Sequence, residues 1–468
     1  MCREAIVKEV EGKLFDMTKV KSHSKDQRRK DGASIRDTFP LASHGEVGFR
    51  QGAERDIVSL IKDSNVDRVA KLIPIRHERM AQSQFSFFRG TAALQAFDLH
   101  KTRTSGIVVQ ACGDCHLDNF GGFETPERNL VFDINDFDET LPAPFEWDVK
   151  RLATSFVLAA RSRGFERHVV RDIVIELVQS YRNSMRTRAS FGVLESWYSA
   201  ITAVDAAKYL SADSEQVRRT TNALEKARMA TSERTFYKLT RIADGQRRFV
   251  DQAPFIYHAE NREIDDRAIK KFLVAYRETL STERRRLFDR FGVADVVHMV
   301  GGVGSVGTRC YLVLLLADGD DALMLQVKES RSSVLEPYTR RIPVKYNGRR
   351  VVVGQRLMQT ASDIFLGWAR GPAGRDFYVR QFGEAKVSAD TETQTNSHMR
   401  SYASLCGTVL AQAHDKAAGD AATVSGYLGE SDDFDKAIGE YSVAYADQVE
   451  RDYAAFVQAI RSGQLKST

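Results

Sequence analysis

The sequence predicts an α+β protein in two lobes, a large helical lobe and a smaller antiparallel β-rich one, and three observations predict it. Apolar residues recur at helical spacing through most of the stretch from Trp147 to about Arg290. The character changes at ADVVHMVGGVGSVGTRCYLVLLLADGDDALMLQVKE, where apolar, partly β-branched runs flank a glycine cluster and then the turn ADGDD. Helical periodicity returns in MRSYASLCGTVLAQAHDKA and from Asp432 to Ile460, so the chain reads helical, then β, then helical.

Taken in order, residues 1–45 read as a polar N-terminal arm and residues 46–290 as a mainly helical lobe. Inside that lobe IVVQAC and NLVFDINDFDET are expected as two short strands, the second ending in acidic residues. IVIELVQSYRNSMRTR and IKKFLVAYRETLSTERRRLFDRF are its clearest amphipathic helices. Residues 291–385 form the β-rich lobe, with further strands expected in GRRVVVGQRLMQ and RDFYVRQF, and residues 386–468 are helices that complete the helical lobe.

Composition narrows the function. The chain has 468 residues, 43% hydrophobic and 28% charged, and no apolar run nears the ~20 residues that span a bilayer. The first thirty residues lack the apolar core of a secretory signal, and the five cysteines are odd in number and follow no disulfide pattern. A cytoplasmic, reducing setting without a membrane partner is expected. A net charge of +5 does not call for nucleic acid, and the basic runs KSHSKDQRRK and ERRRLFDR read as solvated faces.

The first chemical constellation is a loop of the form G-D-x-H-x-x-N: Gly113, Asp114, His116 and Asn119, followed closely by Asp133, Asp136, Asp138 and Glu139. So many carboxylates ask for a cation, and Mg²⁺ prefers carboxylate, amide and phosphate oxygens. Asp114 is the candidate catalytic residue that orients or deprotonates an acceptor hydroxyl, with His116 beside it. Asn119 with Asp136 or Asp133 is the candidate metal set. Asp136 is preferred, and Asp133 competes because the run LVF ends directly on it.

The second constellation is G-x-G-x-x-G at Gly302, Gly304 and Gly307, with Ser305 among them. The following TRCYLVLLL is β-like, which favours a phosphate-cradling loop between two strands over a dinucleotide site, where a helix must follow. LMLQVKE then offers Lys328 for the nucleotide phosphates. Its expected partner is a glutamate, with Glu336 preferred over Glu329.

ACGDCHLDNF resembles the catalytic loop of aminoglycoside phosphotransferases and related small-molecule kinases, H-G-D-x-H-x-x-N, with Cys112 in place of the first histidine. The resemblance implies a protein-kinase-like fold binding ATP and Mg²⁺, with Asp114 as the catalytic aspartate and Asn119 on the metal. In ordinary kinases the glycine loop precedes the catalytic loop, whereas here Asp114 precedes Gly302, which implies a circular permutation. Through FSFFRG, GDCHLDNFG, FDINDFDET, WDVKRLA, VGSVGTRCY, GQRLMQTASDIFLGW, FYVRQF and CGTVLAQAHDKAAGD the chain also resembles the bacterial family called domain of unknown function 2252. The expected function is ATP- and Mg-dependent phosphoryl transfer to a small-molecule or protein hydroxyl. The alternatives are a nucleotide-binding sensor or scaffold without turnover, nucleotidyl transfer, and a metal-dependent phosphoesterase.

Overall fold

The computed structural model describes residues 23–48, 55–210, 218, 236–258, 266–318, 321–339, 344–382, 387–388 and 394–467. The architecture is mixed α and β, with small antiparallel sheets set against a helical body. Four short strands come first: β1 (Val108–Ala111), β2 (Phe120–Glu124), β3 (Leu130–Ile134) and β4 (Leu141–Pro144). β1 pairs with β4, and β2 with β3. A hairpin of β5 (Thr240–Ala243) and β6 (Gln246–Phe249) precedes a six-stranded sheet built from β7 (Ile256–Tyr257), β8 (Gly292–Met299), β9 (Cys310–Leu316), β10 (Ala322–Ser330), β11 (Gly367–Arg370) and β12 (Asp376–Gln381). Its spatial order is β11-β12-β10-β9-β8-β7, and every neighbouring pair is antiparallel. β13 (Val387–Ser388) returns to pair with β2.

The helical body is built around the Phe145–Ser162 helix. Every residue from Phe145 to Ala160 is buried, so this helix is enclosed on all sides, by the Arg167–Arg188 and Asp433–Arg461 helices among others. The Asn396–Ala418 helix lies against Arg167–Arg188 at a close crossing, where a β-carbon on Gly407 would fall 2.2 Å from the Leu177 carbonyl oxygen. It also touches β1, which brings the C-terminal helices beside the first strand of the chain.

Three local expectations change. Within the polar arm, Lys25–Ile35 is a helix capped by Ser24 and packed on Ala421–Leu428. Two glycines permit that approach: a β-carbon on Gly32 would lie 2.1 Å from the Thr423 carbonyl oxygen, and one on Gly426 would lie 2.0 Å from that of Arg29. The helices Asp266–Arg277 and Thr282–Phe288 belong with the sheet, since Leu273, Tyr276 and Phe288 share a core with Val313, Leu325 and Val379. GRRVVVGQRLMQ is a helix, Asn347–Met358, although three consecutive valines favour a strand. Burial decides it, because Val351 and Val352 sink into the main core while Val353 faces water. β12 forms in RDFYVRQF, where a strand is expected.

The sheet and the helical body meet at the segment between β8 and β9. Leu72 packs with Val300 and Val306, and Val69 donates its amide to the Gly307 carbonyl at 2.7 Å. No helix among the described residues is long and apolar enough to cross a membrane.

Candidate functional site

Asp114 stands in the loop between β1 and β2, and that loop is held from beneath. Asp148, in the first turn of the Phe145–Ser162 helix, accepts the backbone amides of Cys112 at 2.6 Å and Gly113 at 2.9 Å. Its Oδ2 also receives Nε2 of His414 at 3.2 Å, and the Tyr181 hydroxyl reaches His414 Nδ1 at 2.9 Å. Held between Asp148 and Tyr181, the His414 ring positions the loop from within the core. Gly113 has φ +86°, and a β-carbon there would lie 2.4 Å from the Glu139 carbonyl oxygen. Only glycine fits that position.

One helical turn beyond Asp148, Arg151 donates to Asp114 Oδ1 at 2.6 Å, and it also reaches Gln95 Oε1 and the Phe88 carbonyl. Burial pushes the Asp114 carboxyl above its ordinary value, and the Arg151 guanidinium works against that push. His116 is buried, and burial first, then the charges of Arg89 and Arg151, hold it well below the usual histidine range, so its imidazole is neutral. Its Nδ1 has no hydrogen-bond partner.

The metal-set candidates separate. Asn119 Nδ2 donates to the Asp114 carbonyl at 2.6 Å, which ties the amide to the same loop. Asn119, Asp136 and Asp138 line one cavity of about 560 Å³ with Asp114 and His116. Asp133 does not join them. It is 1% exposed, and its carboxylate accepts the amides of Ile134 at 2.8 Å and Thr360 at 2.7 Å, so it ties β3 to the chain after the Asn347–Met358 helix. Position along the chain explains this, because Asp133 lies inside the buried strand β3 while Asp136 follows its end.

Gly302, Gly304 and Ser305 line the same cavity, whereas Gly307, with φ +88°, turns the chain into β9 against Arg68. The glycine segment connects two antiparallel strands, as the β-like run after it predicts. A β-carbon on Gly304 would stand 3.9 Å from Asp114 Oδ2 and 3.6 Å from the Arg89 carbonyl oxygen, so the loop closes directly over the aspartate.

Lys328 lies on the central strand β10, opposite Cys310 of β9 and Tyr378 of β12. Its ammonium contacts the Asp138 carboxylate and lies 3.6 Å from Asp136 Oδ2. Burial disfavours its charge, but Asp136 and Asp138 outweigh burial and hold it protonated well above the ordinary lysine value. The Tyr378 hydroxyl donates to Asp138 Oδ1 at 2.9 Å and fixes that partner. Glu336 is not the partner of Lys328: it opens the short 3-10 turn Glu336–Tyr338, away from the cavity lining. Glu329, the next residue on the strand, points elsewhere and pairs with Arg309 and Arg375. The helix between β10 and β11, NGRRVVVGQRLM, carries no carboxylate, so the counter-charge comes from the acidic loop across the cavity.

The sequence reading did not single out Arg151, although WDVKRLA places it three residues from Asp148 on one helix face. Arg380 also lines the cavity and donates to Gln326 Oε1 at 2.8 Å, while Arg356 lies outside it and donates to the Leu366 carbonyl. Arg89 pairs with Asp118 at 2.9 Å.

No curated protein and no solved structure matches the chain. The model of one family, described as an uncharacterized protein conserved in bacteria (DUF2252), matches residues 68–459, which include the acidic loop, the glycine segment, Lys328 and His414. With that match over most of its length, the chain belongs to the DUF2252 family.

Proposed function

We propose that this chain is an ATP- and Mg-dependent phosphotransferase with a bilobed, circularly permuted kinase-like fold. The observation that carries the reading is the convergence of Asp114 and Gly304, far apart in sequence, with the Gly304 β-carbon position 3.9 Å from Asp114 Oδ2. A loop able to cradle phosphates thus lies over a carboxylate able to receive a proton. Lys328 enters the same cavity with Asp136 and Asp138.

The donor set fits a hard divalent ion carried in with a nucleotide. Asp136 and Asn119 supply carboxylate and amide oxygen, and Asp138 stands beside them. Among the described residues no group of three or more His, Cys, Asp or Glu side chains could hold an ion by itself, so phosphate oxygens and water must complete the shell. When bound, the ion would neutralise charge on the phosphate being transferred.

The residues of the chain divide the remaining work. The amides of Gly302, Val303 and Gly304 and the Lys328 ammonium bind the phosphates, with Lys328 moving from aspartate to phosphate oxygen as nucleotide enters. Asp114 orients the acceptor hydroxyl and takes its proton. The acceptor oxygen bonds the γ-phosphorus as the bond to the β-phosphate oxygen breaks, and ADP leaves with that electron pair. Arg151 keeps Asp114 in place and ionised. Neutral His116 lines the acceptor side without adding charge.

A second reading, a nucleotide sensor without turnover, is favoured by the grip of Arg151 on Asp114 and by Cys112 at the head of the loop. One titration tests both. ATP with Mg²⁺ is expected to raise the melting temperature of the wild type and not of Lys328→Ala or Asp136→Ala. Absence of any shift at millimolar ATP would remove both readings. Transfer to an acceptor that survives in Asp114→Asn would remove the catalytic assignment, and ATP binding with no transfer across a broad acceptor panel would favour the sensor.

A further inference from the structure

One wall of the cavity carries three arginines whose hydrogen-bond acceptors are all neutral. Arg76 is 1% exposed, donates to Asn65 Oδ1 at 2.8 Å and the Gly90 carbonyl at 2.7 Å, and has an Nε with no partner. Arg68 donates to the carbonyls of Ser64 at 3.0 Å and Val306 at 2.6 Å. Arg331, just after β10, reaches the carbonyls of Val66 at 2.7 Å and Ser64 at 3.4 Å.

Two other cations of the cavity have ion-pair partners: Lys328 has Asp136 and Asp138, and Arg89 has Asp118. Arg380 on β12 donates to Gln326 Oε1 and the Asn135 carbonyl, with Asp136 and Asp138 close enough to favour its charge. Among the described residues no carboxylate forms an ion pair with Arg68, Arg76 or Arg331. Glu139, Glu329 and Asp138 influence Arg68 only at longer range, and all three are otherwise engaged, Glu139 by the Val334 amide, Glu329 by Arg309 and Arg375, and Asp138 by Lys328 and Tyr378.

Burial and then Arg331 push Arg68 down to about 10, and burial followed by Arg68 and Arg331 lowers Arg76, so the three guanidiniums crowd one another. A buried cation without counter-charge, such as Arg76, is costly, and with half-buried Arg68 and Arg331 beside it this wall of the cavity is complementary to a multiply charged oxyanion. In the phosphotransferase reading the nucleotide phosphates are already served by Lys328 and the glycine-loop amides. The arginine wall is therefore left for a different anion.

We propose that Arg68, Arg76 and Arg331 form a second anion subsite and that the acceptor is a phosphorylated small molecule held there by its phosphate. The acceptor half of this proposal rests on the phosphotransferase reading, whereas the anion subsite does not.

The test is a titration of the full chain with inorganic phosphate at constant ionic strength, without magnesium, following thermal stability. It is run on the wild type, Arg331→Gln and Lys328→Ala, and repeated on the wild type with saturating ATP. Phosphate is expected to stabilise the wild type and Lys328→Ala alike, to stabilise the ATP-saturated protein further, and to bind about tenfold more weakly to Arg331→Gln, the loss expected for one charge-assisted contact. ATP binding by Arg331→Gln should stay within about twofold of wild type on the same scale. Competition between phosphate and ATP would overturn the proposal by giving the arginines to the nucleotide. Phosphate binding that is absent, or unchanged in Arg331→Gln, would also overturn it. If phosphate binds as expected while ATP gives no shift, the subsite stands and the nucleotide reading fails.

Discussion

Arg151 donates from Nε to Asp114 Oδ1 across 2.6 Å, which joins the buried helix after the acidic loop to the aspartate at the head of the cavity. The arginine side chain is 3% exposed and the aspartate 21%. Breaking such a pair from one side strands a carboxylate that burial already drives toward protonation. Arg151→Met is expected to lose about 3 kcal/mol in denaturant unfolding. Asp114→Asn should lose less, since an amide can still accept from Arg151. Equal losses would show that the packing of Arg151, and not its charge, matters.

Lys328→Met should make stability depend on pH in a defined direction. Asp138 is raised above 3.8 in the folded state, first by burial and then by Asp136, while Lys328 opposes the rise. A carboxyl raised on folding gives up stability as pH climbs from its unfolded value through its folded one. Without the lysine that loss grows. The difference from wild type should therefore be small at about pH 4 and larger at about pH 7. A difference independent of pH would assign the effect to lost packing against Tyr378.

Glu139 provides a second pH test in the same loop. Burial raises its carboxyl from 4.5 to about 6, against the pull of Arg350 and the Val334 amide. Its folded value is the higher one, so its contribution is present below 4.5 and is lost as pH rises through about 6. Glu139→Gln keeps an acceptor for Val334, which donates to Oε2 at 2.7 Å. The variant should show a shallower fall in stability over that window, by roughly 1–2 kcal/mol. An unchanged slope would place the titration on another group.

How far the sequence could be read depended on the range of the interactions involved. The loop from Gly113 to Asn119 and the glycine segment between two strands were legible because turn chemistry and glycine spacing are local. The choice between Asp133 and Asp136 was not, since it turns on which way β3 faces, and Thr360 decides that from more than two hundred residues away. Lys328 was legible as the end of an apolar strand. Its partner was not, because Asp136 and Asp138 reach it only after the sheet closes on the helical body. GRRVVVGQRLMQ misled for the same reason: Gly348 lies so near Phe377 that a β-carbon would fall 2.3 Å from its carbonyl oxygen, and a β-carbon on Gly354 would fall 2.3 Å from Thr140 Cγ2. Packing against β12 and the acidic loop makes that segment a helix, and local propensity does not.

Gly304→Ala separates the chemistry of the site from its architecture. The added carbon would meet the Arg89 carbonyl oxygen at 3.6 Å and Asp114 Oδ2 at 3.9 Å, both ordinary contact distances, and Gly304 is not among the glycines held at positive φ. Nothing in the fold therefore resists the methyl group, and stability should stay within about 0.5 kcal/mol of wild type. The methyl group nevertheless fills the gap between the glycine loop and Asp114, which in the proposed phosphotransferase a phosphoryl group enters to meet an acceptor oxygen. Phosphate transfer should fall at least about a hundredfold, the scale on which a displacement of about 1 Å at a reacting centre acts. ATP binding, followed by thermal shift, should weaken much less, because the loop amides and Lys328 are untouched. A stable variant with unimpaired transfer would mean that the reacting phosphate does not pass between Gly304 and Asp114, and the convergence of those two residues would then belong to folding alone.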